Sequence, residues 1–544
     1  MISSRASEDC DLTPSVQQSP PVIPFAPAAD SSSQALVFAG DARWLIGAGL
    51  VYLALVCATV LTIHPYFSQT WDAVTFVNAG KTVFSPDWMQ LYAISRADRV
   101  WPYAYPPLHA FFVAPFVALA GGIPDWLMVR LPPLFFDIAT GILLFRIVLQ
   151  KTQQRNLARL ALAVWLFNPV TWYDTAVQGH FEAEWLFFVV LAYWLAEYQR
   201  GWLLPTLSLA IALCSKQNAI LFALPFWAQL FFTSNEKNLL RRIRPIAASV
   251  IVAFIPLALI SLPFLLASND YWYMNVQYVA DVPLQTQSWL VALAGIFSPD
   301  NIFLNASSSL TLLAAALIAI VTARRGFSLW LTATLIVLAF FLLSKKVVGY
   351  YYVMILPFAL VTLVPARRFR LLSLIILATA FISLSPYFAS WTNQDHWWVY
   401  VLLGIANSIL WLAMFVWLWR NQPMMAMEQN ARVPTFLSVA LFLTACAAAL
   451  VQPFINNSSS PIRAPLIPTG LETQAALGFI AFVILTGAGV LTALLLSQHI
   501  ARTPRLALGV YSLVVLLAPL YFLTFALTKE STAALEIALK TIGL

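Results

Sequence analysis

The chain is short of charge and short of cysteine. Asp, Glu, Lys and Arg make up 10% of its 544 residues, while 61% are hydrophobic. A soluble domain carries about 25% charged residues, so this composition cannot clothe a water-facing surface. Four cysteines occur: Cys10 in an N-terminal polar stretch, and Cys57, Cys214 and Cys446 inside apolar segments. None has a CxxC or metal-ligand spacing, so no disulfide framework and no metal site are expected. A GxxxxGK[ST] loop and a GxGxxG fingerprint are also absent, which argues against a cytosolic nucleotide fold. The net charge of +7 does not point to nucleic acid, because the basic residues are spread between apolar runs.

Long apolar runs are what the chain has in abundance. Trp44–Ile63, Pro245–Ala267 and Phe436–Val451 approach the roughly 20 residues that span a hydrocarbon core. Backbone amides in lipid must be satisfied locally, so these runs are helices. The fold class expected is an all-α polytopic membrane protein of about fourteen or fifteen spans. Candidate spans lie near 44–63, 126–149, 158–173, 183–197, 202–215, 218–233, 245–267 and 309–323. Others follow near 327–343, 350–365, 371–388, 398–418, 434–452, 474–496 and 506–527. Residues 1–42, rich in Ser, Pro and Ala, read as a disordered cytoplasmic tail, with Arg43 opening an uncleaved signal-anchor span.

One run, Pro106–Ala120, is ambiguous, and counting it as a span would reverse every later loop. If it does not cross, one side collects Lys151, Arg155, Arg159, Lys237, Arg241, Arg242, Arg244, Arg324, Arg325, Arg367, Arg368 and Arg370. That is the positive-inside pattern with a cytoplasmic N-terminus. We therefore expect 106–120 to lie in the outer interface, and the loops 64–125, 174–182, 268–308, 344–349 and 389–397 to share the outer face. Asp72, Asp174, Glu182 and Asp270 are among the acidic residues there.

The polar loop 64–125 carries Asp72 directly after the first span, then Tyr105-Pro106-Pro107-Leu108. Two prolines favour extended geometry before the following helix. By position alone Asp72 could be a helix N-cap, and most of the loop aromatics an interfacial belt. An Asp at this place followed by Tyr-Pro-Pro-Leu resembles the membrane-embedded GT-C glycosyltransferases. These use polyprenyl- or dolichyl-phosphate sugars and include ER N-glycan glucosyltransferases, the GPI mannosyltransferase and bacterial mannosyltransferases. Further along, Arg130 and Asp137 in the second span are similar to that superfamily's Arg…Asp pattern, seven residues apart on one helix face. Asn168-Pro169 with Gln178-Gly179-His180-Phe181-Glu182 resembles its second external loop, with Glu182 in place of Asp or Gln. Lys216-Gln217 before Pro225, and Ser344-Lys345-Lys346 before Tyr350-Tyr351-Tyr352 and Pro357, continue the likeness. It covers residues 44–365, a conserved transmembrane module with its catalytic loop at 64–125; residues 366–544 form variable C-terminal helices.

The resemblance implies transfer of a hexose, mannose first, from a polyprenyl-phosphate donor to a lipid-linked or envelope glycan. Asp72 then carries over as catalytic base, removing the acceptor proton. The leaving phosphate needs positive charge, for which Lys216, Lys345, Lys346 and Arg130 are the candidates. Placing cations on the translocation-disfavoured side opposes the orientation bias, which argues that they have a role. His180, Glu182, Gln178, Tyr105 and Gln217 are candidate substrate contacts. A single carboxylate opposite a cationic site suits inversion; double displacement would want a second carboxylate as nucleophile. His180 and Glu182 are too few to define a metal site, so no cofactor is expected. His109 reads as isolated and packed or interfacial. The expected partners are the donor, the glycan acceptor and membrane lipids, with no nucleic acid. The location expected is a bacterial cytoplasmic membrane, since no ER retention signal is visible. The alternative is a transporter or flippase of lipid-linked saccharides, which would want two related halves with polar breaks at the midplane; no internal repeat is seen.

Overall fold

A computed structural model describes residues 31–63, 71–97, 102–118, 121–198, 201–234, 236–278, 282–297, 302–384, 388–389 and 397–422. These residues are helical almost throughout, as lipid requires of the backbone. Four helices are long and apolar enough to cross a membrane by length and composition: Asp125–Thr152, Leu239–Ala267, Ser307–Arg324 and Tyr400–Asn421. Shorter apolar helices accompany them, among them Leu203–Ser215, Leu329–Leu343 and Gly349–Leu363. The expected spans at 434–452, 474–496 and 506–527 lie outside the described residues.

The helices pack in sequence neighbourhoods. Glu182–Tyr198 lies between Leu131–Thr152 and Leu203–Ser215, and the latter packs in turn on Leu239–Ala267. Leu329–Leu343 is the innermost, buried from Leu329 to Phe341 and flanked by Ser307–Arg324, Ile355–Leu363 and Trp397–Asn421. Leu239–Ala267 is the reverse case: Leu266 is 79% exposed, and the few residues it buries include Ser249 and Ser261. Its apolar outer face suits hydrocarbon, while Ser249 bonds the Thr206 hydroxyl at 2.7 Å and accepts from Trp227 Nε1 at 3.0 Å. Such small polar residues let membrane helices approach closely and bond across the gap.

One expectation changes in detail. The first helix starts at Ser31 rather than at Arg43, because Gln34, Ala35 and Leu36 are good helix formers. Arg130 lies within the candidate span Asp125–Thr152, directly before helix Leu131–Thr152, whose first turn carries Pro132 and Pro133. Proline is tolerated there because the first-turn amides have no intrahelical partner.

The ambiguous run forms helix Leu108–Ala118, 11 residues long. At 1.5 Å per residue it reaches about 16 Å, half the hydrocarbon core, so it is too short to cross. It packs on helix Trp71–Val83. A methyl group at Gly80 would sit 2.9 Å from the side chains of Val113 and Val117, so glycine is what lets the two helices touch.

Loops distant in sequence meet at one end of the bundle. Gln285–Thr286 pairs antiparallel with Phe388–Ala389. On its other side the Gln285 amide donates to the Lys345 carbonyl at 2.8 Å, and the Val347 amide donates to the Gln285 carbonyl at 2.7 Å. Hydrogen-bonded backbones must share one depth, so segments from the 268–308 loop, the 344–349 loop and the chain just ahead of the 389–397 loop lie at one level.

Candidate active site

Asp72 sits in the first turn of helix Trp71–Val83, half-buried. It is not the cap residue that position alone allowed, because the helix already begins at Trp71. Burial pushes its carboxyl above the usual carboxylate range. Lys346 and then Lys216 pull it back, and Glu182 adds to the rise. Asp72 is therefore the negative pole of a group of charges drawn from four separate loops.

Lys346 is the cation with the larger effect on Asp72. It too is half-buried, and burial pushes its ammonium down to about 8, with Asp72 opposing the fall. Lys345 and Lys346 lie in extended backbone beside Gln285. Successive extended residues point to opposite sides, so the two adjacent lysines cannot both face the site. Lys346 does; the Lys345 side chain is buried.

Lys216 behaves differently from the cation expected at a span end. It is 1% exposed and ion-paired to Glu182, whose other oxygen accepts from Trp185 Nε1. Four rings surround its ammonium, with centroids at 4.7 Å (Tyr351), 5.2 Å (Phe181), 5.3 Å (Tyr105) and 5.5 Å (Tyr350). A buried pair of this kind is neutral as a unit and holds its shape. Glu182 is likewise occupied by Lys216 and Trp185.

His180 is fully buried and stacks on Tyr350 at 3.9 Å and on Phe181 at 5.1 Å. Burial pushes its imidazole well below the ordinary value, so the ring is neutral. The Tyr105 hydroxyl lies 3.4 Å from its Nε2, and its Nδ1 lies 3.5 Å from Glu182 and 3.9 Å from Asp174. His109, read from sequence as isolated, is in fact partnered. Its Nδ1 is 2.8 Å from Glu184, and its ring stacks on Phe181 at 3.8 Å. Sequence could not show this, because the pairing joins the short surface helix to the start of Glu182–Tyr198.

The remaining predicted residues frame the site. Gln217 Nε2 donates to the Ala104 carbonyl and to Asn275 Oδ1, both at 3.0 Å, tying three loops together. Arg130 is 1% exposed; it donates to the Ala176 carbonyl at 2.8 Å and to the Trp126 carbonyl. Gly179, at φ +63°, lets the 173–178 turn pass the guanidinium, since a Cβ there would stand 3.2 Å from Arg130 Cζ. Gln178 closes that turn. These contacts have Arg130 bracing the loop.

Sequence reasoning missed Tyr350, Tyr351 and Tyr278 as site residues. All three are electrostatic neighbours of Asp72. A signal existed for two of them, the aromatic run directly after Lys345-Lys346; Tyr278 had none. Among the described residues, no group of three His, Cys, Asp or Glu side chains is arranged to hold a metal ion.

Among the described residues, a carboxylate, lysines and tyrosines thus gather where the loops of an all-helical bundle meet. Residues 104–263 match the family model described as dolichyl-phosphate-mannose-protein mannosyltransferase. The matched stretch supports a likeness of this chain to the GT-C superfamily of membrane glycosyltransferases. No curated protein sequence matches the chain.

Proposed function

We propose that the protein transfers mannose from a polyprenyl-phosphate donor to a sugar hydroxyl of a lipid-linked or envelope glycan, at the extracytoplasmic face of a bacterial membrane. What supports this reading is the nearness in charge of Asp72 and Lys346: half-buried residues of opposite sign from the first and the late loop, each acting electrostatically on the other. Asp72 takes the acceptor proton as the hydroxyl oxygen bonds to the anomeric carbon. The bond from that carbon to the phosphate oxygen breaks, and the phosphate leaves with the electron pair, gaining a negative charge beside Lys346. Lys216 is committed to Glu182, so it shapes the site and does not receive the phosphate. Glu182 is equally committed and is unsuited to act as a second nucleophile, which favours single displacement with inversion.

The test is transfer of labelled polyprenyl-phosphate mannose, with the glucose analogue in parallel, by membranes holding the wild type or Asp72→Asn. Loss of about 10²–10⁴-fold in turnover is expected of a missing base; equal transfer by the Asn protein removes Asp72 from that role. Accessibility labelling of cysteines placed at Lys151 and at the exposed Gln90 should report opposite sides of the membrane. Labelling from one side would overturn the face proposed here.

A further inference from the structure

Besides Lys346, Lys216 and Glu182, Asp72 has a further electrostatic neighbour in Tyr278. Tyr278 ends the segment Asp270–Tyr278, which the proposed reaction has not used. It is held onto the site at two points. Arg96, from the first loop, bonds Asp270 at 2.5 Å and lays its guanidinium 3.8 Å over the Tyr273 ring. Gln217, next to Lys216, holds Asn275 at 3.0 Å. Between and beyond these ties the chain runs as a turn wider than an α-helix, Tyr273–Gln277, and delivers Tyr278 beside Asp72. Tyr273 and Tyr278 lie with ring centroids 6.5 Å apart, both half-buried, and Trp272 next to them is 53% exposed.

The charge on this segment is already compensated. Asp270 has Arg96 and the Ser268 hydroxyl at 2.7 Å, and among the described residues 270–278 contribute no other ionised side chain. Among the described residues, an anionic acceptor would find on this segment no cation that is not already paired. A neutral molecule with hydroxyls and an apolar face would find the open or part-open rings of Trp272, Tyr273 and Tyr278. Sugar rings have that chemistry.

We propose that Asp270–Tyr278 is an acceptor lip, a binding surface for a neutral sugar ring, with Tyr278 as the platform that presents a hydroxyl to Asp72. The inference rests on Asp72 marking the point of transfer, and binding tests it without turnover. The full chain in lipid nanodiscs is titrated with octyl α-mannoside, with octanol as the control for the alkyl chain alone. Tyr278→Ala is expected to weaken mannoside binding at least tenfold. Tyr278→Phe, which keeps the ring, is expected to bind within about threefold of wild type, and it answers for folding. In the transfer assay Tyr278→Ala should raise the acceptor KM and leave the donor KM unchanged. Equal mannoside affinity in wild type and Tyr278→Ala overturns the lip. So does octanol binding as well as the mannoside, or displacement by a serine-rich peptide that binds where the mannoside does not. If Asp72→Asn keeps full turnover while the titration behaves as expected, the base assignment falls and the sugar surface stands.

Discussion

Asp72 and Asp137 are the same residue type in one helical bundle, and their surroundings differ in charge and exposure. Asp137 is 1% exposed and meets neutral donors: its Oδ2 accepts from the Tyr52 hydroxyl at 2.7 Å and from the Thr175 hydroxyl at 2.6 Å. Its backbone carbonyl accepts from Trp165 Nε1 at 2.9 Å, and Oδ1 has no hydrogen-bond partner among the described residues. It fastens the first span and the 173–178 turn to the second span. Asp72 is half-open and meets cations. A carboxylate sealed by neutral hydroxyls braces a fold, whereas one left part-open opposite an ammonium can exchange a proton.

The comparison breaks most decisively at the conservative amide. Asp72→Asn should cost about 10²–10⁴-fold in kcat while the protein purifies and melts as wild type. Asp137→Asn should stay within about threefold, because its amide oxygen can still accept both hydroxyl bonds. Similar losses at the two positions would show that Asp137 shares in the chemistry. Next in size is Lys346→Ala, expected to weaken donor binding by about 10–100-fold, the value of a charge-assisted bond at about 1.5–3 kcal/mol. Lys346→Arg should recover most of it, and titration with polyprenyl-phosphate mannose reads both.

The pH profile of kcat/KM follows from the same pair. Asp72 must be ionised, so activity rises as pH climbs through its upward-shifted value, above the ordinary carboxylate limb. Lys346 must be protonated, so activity falls again above about 8. Lys346→Arg should abolish the alkaline limb and leave the acid one; an unchanged alkaline limb would assign it elsewhere. Smaller still is Asp137→Leu, which strands two buried hydroxyls. A loss of about 1–3 kcal/mol of stability is expected, read as a lowered Tm in nanodiscs. Smallest is Lys81→Ala. Its ion pair with Asp125 is exposed, and such pairs contribute about 0–1 kcal/mol, so neither Tm nor transfer should move measurably.

The apolar runs and the shortness of the helix within 106–120 were legible in sequence, because each depends on local composition. The fate of the cations was not. Lys216, Lys345, Lys346 and Arg130 looked equivalent as outer-side charges. Folding makes Lys346 an electrostatic neighbour of Asp72, pairs Lys216 with Glu182, buries Lys345 and spends Arg130 on the carbonyls of Trp126 and Ala176. The His109–Glu184 pair and the tie from Gln217 to Asn275 were equally hidden, since each joins residues from different loops.

By itself, then, the sequence determined that the chain is a helical membrane protein and that its polar chemistry collects in particular loops. Hydropathy and the need to satisfy every backbone amide in lipid act segment by segment, and both can be read from a run of residues. Tertiary structure alone decided which charges cancel, which remain opposed, and which aromatic rings stand beside Asp72. Electrostatic energy depends on distances across the bundle and on burial, and neither is written in the order of the residues.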